Sequence, residues 1–329
     1  MVPACLTDYA RLSEPRLRQF LEEKSRGFAA LPVELRDVAA ALRDYLLRGG
    51  KRLRGALVLL GHEAAGGQRE AAIDASLGLE LLHAYLLIHD DFMDQDDVRR
   101  GGPTLHRALG GDHLGASLAL LCGSLCESWA YQLFGGASPL VARTVEQVIL
   151  GQMADLRAPR GRELGEREIL DVQRAKTGTY TFELPLHLGA TLAGAGRPVL
   201  DALSAYARPL GMAFQIADDL LGTFGEPEQT GKPNASDLRE GKRTLLVARA
   251  LEKAAPADAA RLRAGLGRPD ADVEELRDIL RRSGAESSAR ADAERLCDQA
   301  LEALGAEALP QRVAQDLREI AVYTVRRAL

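Results

Sequence analysis

Leu79–His106 reads LELLHAYLLIHDDFMDQDDVRRGGPTLH, and the fold turns on how that stretch is read. From Leu79 to Ile88 it is apolar on nearly every side, the pattern of a helix buried inside a domain. It then runs into acid. At about 100° per residue, Asp90, Asp91 and Asp94 share one side of the helix, and Asp96 and Asp97 follow at once. Two carboxylates about 4 Å apart repel by roughly 4 kcal/mol at an effective dielectric near 20, so a largely buried helix needs a cation there. Oxygen ligands without cysteine suit a hard ion, Mg²⁺ above all, which binds through one or two carboxylates and lets a substrate phosphate complete its octahedron. Arg99, Arg100 and the Gly101-Gly102 turn place anion ligands beside it. The plain alternative is a solvated acidic helix end, against which the apolar approach and the paired arginines both argue. An EF-hand loop starting at Asp94 lacks the glycine at its sixth position and the acidic closing residue.

Composition narrows the frame around that stretch. With 329 residues and 46% hydrophobic content, the chain has enough apolar material for a large core. A net charge of −5 gives no basic footprint for nucleic acid. Cys5, Cys122, Cys126 and Cys297 form no CxxC pair or extracellular framework, so a reducing compartment is expected. The charged N-terminus shows no signal-peptide core, and the apolar run Leu114–Cys122 falls short of the roughly 20 residues of a membrane span. A cytoplasmic protein without stable membrane insertion is expected. Helical periodicity punctuated by Gly and Pro dominates, and alternating β-type runs are scarce, which predicts an all-α, single-domain helical bundle over residues 1–329. Ser13-Glu14-Pro15 reads as a helix start, Pro32 opens a helix that Gly49-Gly50 ends, and a further helix is expected from about Leu210.

The rest of the chain offers what a diphosphate site needs. Gly49-Gly50-Lys51-Arg52-Leu53-Arg54 joins two helices and places cations where backbone N–H groups are free. His83 lies seven residues before Asp90, on nearly the same helix face. Gly151-Gln152-Met153-Ala154-Asp155 and Lys176-Thr177 are weaker signals that surface polar groups also produce. Stronger is Pro209–Thr244, PLGMAFQIADDLLGTFGEPEQTGKPNASDLREGKRT, where an apolar helix again delivers acids. Asp218 and Asp219 follow Gln215 on one side, and Lys232, Lys242 and Arg243 come after.

From about Gly49 to Thr244 these motifs, in this order, resemble the trans-isoprenyl diphosphate synthases: GGKR, a histidine, DDxxD with RRG, GQxxD, KT, then FQ-DD with GK. The resemblance implies an all-α, Mg²⁺-dependent, homodimeric prenyltransferase that condenses an allylic diphosphate with isopentenyl diphosphate into a longer linear prenyl diphosphate. By that likeness Asp90 and Asp94, supported by Asp91, hold Mg²⁺, and Asp218, with Asp219 beside it, holds another. Arg99, Lys176 and Lys232 contact the allylic diphosphate, with Gln215 and Thr177 nearby. Lys51, Arg54, His83 and Arg100 match the site for the diphosphate of isopentenyl diphosphate, and Gln152 and Asp155 match a supporting pair.

The second acidic motif departs from the family's DDxxD, because Gly222 stands at its last position. Asp218, Gly222 and Glu226 reproduce the metal spacing of class I terpene cyclases with Gly in place of Ser or Thr, which makes a cyclase the runner-up. A cyclase, however, has no use for Lys51, Arg54 and His83 as a set. A non-catalytic regulatory subunit is the third reading, and the complete first motif argues against it. Restoring Asp at position 222 is expected to be tolerated. For product length, Tyr85 and Leu86, five and four residues before Asp90, resemble the geranylgeranyl (C20) pattern. An ideal helix turns Tyr85 away from the acids, so it serves as a floor only if the helix is irregular.

Overall fold

The computed structural model describes residues 2–30, 32–158, 162–225, 235–268, 270–305 and 308–326. Helices α1 (Ala4–Ala29), α2 (Arg36–Leu47), α3 (Leu53–Ala64) and α4 (Ile73–Met93) lead into a two-residue hairpin, β1 (Val98–Arg99) and β2 (Gly102–Pro103). Then come α5 (Leu105–Ala108), α6 (His113–Leu133), α7 (Ser138–Arg157), α8 (Glu166–Gln173), a π-helical segment (Arg174–Glu183), α9 (Leu184–Leu192) and α10 (Arg197–Phe224). The last elements are α11 (Ser236–Glu240), α12 (Leu245–Lys253), α13 (Pro256–Gly265), α14 (Val273–Arg282), α15 (Ala285–Ala303) and α16 (Gln311–Arg326). The all-α expectation holds, and among the described residues the antiparallel pair β1–β2 is the only sheet.

Two compact units divide the chain, one made of Val2–Pro139 and Pro185–Ala195, the other of Leu140–Leu184 and Gly196–Leu329. In the first unit α4 is the core helix, with Leu77, Leu79, Leu81, Leu82 and Ile88 at most 2% exposed. Residues Arg69–Met93 are long and apolar enough to cross a bilayer, more so than the Leu114–Cys122 run, but most of their apolar stretch is buried inside the protein. A core helix passes the same test. Helices α3 and α9 cross almost backbone to backbone, because a β-carbon at Gly61 would overlap the Leu186 carbonyl and one at Gly189 the Val58 carbonyl.

Two helix boundaries differ from the sequence expectation. Helix α1 does not start at Ser13 but runs straight through Pro15. Leu6, Tyr9, Leu17, Phe20 and Leu21 are all buried, so a break at Ser13 would split one continuous apolar face to spare a single hydrogen bond. Likewise α10, in the second unit, begins at Arg197 and passes through Pro209. Burial of Leu203, Tyr206 and Leu210 on both sides of the proline, and a 2.7 Å bond from the Tyr206 hydroxyl to the Leu317 carbonyl, hold it continuous. Arg277 closes its far end by donating to the Thr223 carbonyl at 2.7 Å.

Candidate active site

In the first unit, the partly accessible residues of α4 and its C-terminal cap include His83, Leu86, Leu87, Asp90 and Asp94, while Ala84, Tyr85, Ile88 and Asp91 are buried. Spacings of three, four, seven and eleven from His83 put the accessible set on one stripe of the helix. Asp91 leaves that stripe. It has no exposed side-chain surface, and it accepts from the Tyr45 hydroxyl at 3.2 Å and from Arg99 Nε at 2.6 Å. The three acids expected on one side therefore separate into an accessible pair and a buried anchor.

Arg99 also reaches Asp96 at 2.9 Å. Burial opposes its charge, and the Asp91 carboxylate more than offsets burial, holding the guanidinium above the usual arginine range. The β1–β2 turn that carries it has positive φ at Arg100 (52°) and Gly101 (72°), the left-handed pair that fits a tight hairpin. The Arg100 guanidinium lies against Gly50 in the turn between α2 and α3.

That turn forms the second cationic group of the unit. Arg54 Nη1 lies 3.2 Å from His83 Nε2, and since a guanidinium only donates, the imidazole nitrogen accepts. Burial, followed by the nearby charges of Arg54, Arg100, Arg99 and Arg52, pushes the His83 pKa well below 6.5, so the ring is neutral. Lys51 is exposed at the rim of the turn.

In the second unit, the neighbours Asp218 and Asp219 diverge in the same way. Asp218 is exposed, whereas Asp219 is 5% exposed and accepts from Gln173 at 2.6 Å and Gln215 at 2.9 Å. Burial, then the Asp237 carboxylate, raise the Asp219 pKa to about 8. Asp237, from α11, bears on position 222: a β-carbon at Gly222 would overlap its carboxylate, so an aspartate there requires the Asp237 side chain to move and sets a further acid beside it. Lys242 faces the other oxygen of Asp237 at 3.5 Å. Spacing gave no sign of Asp237, which lies on a different element from the acids it approaches.

Lys176 and Thr177 sit on the π-helical segment, a distortion that periodicity did not reveal and that is frequent at functional sites. Lys176 donates to Asp155 at 2.7 Å, joining two motifs that the sequence presented separately. Gln152 is part-buried one turn before Asp155 on α7. Lys232 and Glu226 lie outside the described residues.

These donors fit Mg²⁺. Among the described residues no three His, Cys, Asp or Glu side chains are grouped to enclose a metal. An ion held by one or two carboxylates and finished by phosphate oxygens needs no such cage.

Comparison with known proteins places this arrangement. Residues 36–282 match the polyprenyl synthetase family model. A (2E,6E)-farnesyl diphosphate synthase of Mycobacterium tuberculosis is 36% identical over 293 residues, covering 84% of this chain and 80% of its own. A geranylgeranyl diphosphate synthase of Sulfolobus acidocaldarius is 36% identical over 240 residues, 69% of this chain and 71% of its own. The crystal structure of a Corynebacterium glutamicum geranylgeranyl pyrophosphate synthase, complexed with isoprenyl diphosphate and magnesium, superposes with a TM-score of 0.90 at 35% identity, covering 98% of this chain and 99% of that one. The neutral histidine, the divided acids and the cationic turn thus stand in a chain that belongs to the polyprenyl synthetase family.

Proposed function

We propose that the protein condenses an allylic prenyl diphosphate with isopentenyl diphosphate, head to tail, to a longer linear prenyl diphosphate. One observation carries this reading over a cyclase. Helix α4 bears accessible Asp90, with Asp94 just past its end, and, seven residues or about 10 Å before Asp90, His83, which with Arg54 of α3 makes a separate anion-binding group. Two such groups answer to two diphosphates, whereas a cyclase handles one.

Mg²⁺, when bound, neutralises charge that develops on the departing diphosphate. By the family likeness Asp90 and Asp94 would hold one such ion and Asp218 another, and Asp91 fixes Arg99 beside the first pair. By the same likeness Arg99, Lys176 and Lys232 are the cations, and Thr177 and Gln215 the polar groups, assigned to the allylic diphosphate, whose electrostatic stabilisation dominates such chemistry. Lys51, Arg54, Arg100 and neutral His83 hold the diphosphate of isopentenyl diphosphate, whose double bond attacks the allylic carbon. Leu86 and Leu87, on the accessible stripe, keep water from the cation. Loss of a proton to the departing diphosphate completes the product.

A C20 product fits the leucine at position 86 and is the longer of the two lengths, farnesyl and geranylgeranyl, named for the relatives. Helix α4 is regular, and Tyr85 turns its ring edge-on to His89 at 4.6 Å, facing Glu127 and Tyr131 of α6. Leu86 is therefore the better floor residue. Exposed leucines Leu114, Leu121 and Leu125 recur along α6 and support a homodimer through that face. The buried thiols of all four cysteines accord with a reducing cytoplasm. A single synthase domain accords with a family match that draws on both compact units.

The test is incubation with Mg²⁺, an allylic diphosphate and labelled isopentenyl diphosphate. A labelled linear diphosphate is expected, and a cyclic hydrocarbon formed from the allylic substrate alone would replace this reading with the cyclase. Leu86→Phe should shorten the product and Tyr85→Ala should leave it unchanged. Sedimentation as a single 35.5 kDa species would exclude the dimer.

A further inference from the structure

Beneath the turn that carries Lys51 and Arg54 lies a buried carboxylate with no part in the chemistry above. Glu80, on α4, is 7% exposed. Its Oε1 accepts the Gly55 N–H at 2.9 Å, and its Oε2 pairs with Arg52 Nη1 at 3.2 Å. Gly55 is the third residue of α3, and Arg52, at the capping position just before that helix, offers no side-chain cap, so a residue on another helix caps α3. Arg52 itself is left-handed, with φ 48°, a conformation that costs a non-glycine residue about 1 kcal/mol or more. What holds it there is its guanidinium, which donates to Glu80 and also to the Leu46 and Arg48 carbonyls at the end of α2. Arg52 is thus committed to the fold, while Lys51 is exposed and Arg54 reaches His83.

Helix α1 braces the same point. A β-carbon at Gly55 would overlap the Tyr9 hydroxyl, so the glycine admits Tyr9 to the first turn of α3. Tyr9, Gly49, Gly50, Arg52 and Glu80 line a cavity of about 100 Å³ behind the turn.

We infer that Glu80 is a positioning residue for the isopentenyl diphosphate subsite: it locks the 49–54 turn in the left-handed form that presents Lys51 and Arg54 to the diphosphate. This rests on the assignment of Lys51, Arg54 and His83 to that diphosphate. Charge alone predicts the reverse effect, since Glu80 is a negative group beside Arg52, Arg54 and Arg100, and removing it would tighten anion binding.

Steady-state kinetics of Glu80→Gln decide between the two. Its amide can still accept from Gly55 but turns a donor toward the Arg52 donors, releasing the turn. The expected result is a KM for isopentenyl diphosphate raised about tenfold, with kcat and the KM for the allylic diphosphate changed less than twofold. An unchanged or lowered KM for isopentenyl diphosphate overturns the inference, as does a loss confined to melting temperature. If Glu80→Gln does not fold, Arg52→Lys, which keeps the charge and loses the fork, should raise the same KM. Arg54→Ala separates the layers. If it leaves that KM unchanged, the subsite assignment itself has failed; if it raises KM while Glu80→Gln does not, only the role of Glu80 has.

Discussion

Asp91 spends both oxygens on Tyr45 and Arg99, while Asp90, one residue earlier, remains accessible, and substitution should separate the two kinds of work. Asp90→Asn should melt within a degree or two of the parent yet lose at least a hundredfold in kcat, because it removes a ligand needed where charge develops. Asp91→Asn should cost about 3 kcal/mol in urea unfolding, the typical consequence of breaking a buried ion pair from one side. Equal melting temperatures for the two variants would refute the division. His83 gives a pH signature. Its folded pKa lies below the 6.5 of the free side chain, so below about pH 6.5 the unfolded chain takes up a proton that the native state refuses. The stabilisation from a neutral His83 is complete above that value and is lost as pH falls, with a slope of up to about 1.4 kcal/mol per unit. His83→Gln should flatten the stability profile between about pH 5 and 6.5 by one proton, as read from urea melts at each pH.

At the scale of elements, the motif-bearing helices were legible because they are long and apolar, and periodicity reports such helices faithfully. Less visible was anything set by contacts between elements. Pro15 and Pro209 looked like boundaries by local rules, and long buried faces overrode them. Nothing local to Arg174–Glu183 announced a π-helix. Gly222 shows the same limit, since its meaning comes from Asp237 on α11. Gly222→Asp should therefore destabilise the protein by about 1–3 kcal/mol through overpacking, to which like-charge repulsion adds. Adding Asp237→Ala should recover most of that loss in thermal denaturation. Equal stability of Gly222→Asp and the parent would show that α11 yields freely.

Across the whole molecule, the all-α class and the order of the motifs could be read from sequence, while the division of neighbouring acids into accessible and buried members could not. Asp90 and Asp91, or Asp218 and Asp219, are identical letters until Tyr45 and Gln173 arrive from elsewhere in the chain. The crossing of α3 and α9 has a further consequence, in the order of events on the ribosome. The eleven residues Pro185–Ala195 that complete the first unit are made only after the 45 residues Leu140–Leu184 of the second. Until they emerge, the groove on α3 shaped by Gly61 stays open, and the nascent α4 has an incomplete scaffold around it. A fragment ending at Pro139 should accordingly be protease-sensitive throughout, whereas in one extended past Ala195 the first unit's own residues should resist and cleavage should fall within Leu140–Leu184, which lacks its partners. The acidic face of α4 would thus mature late in synthesis, although its sequence is translated early.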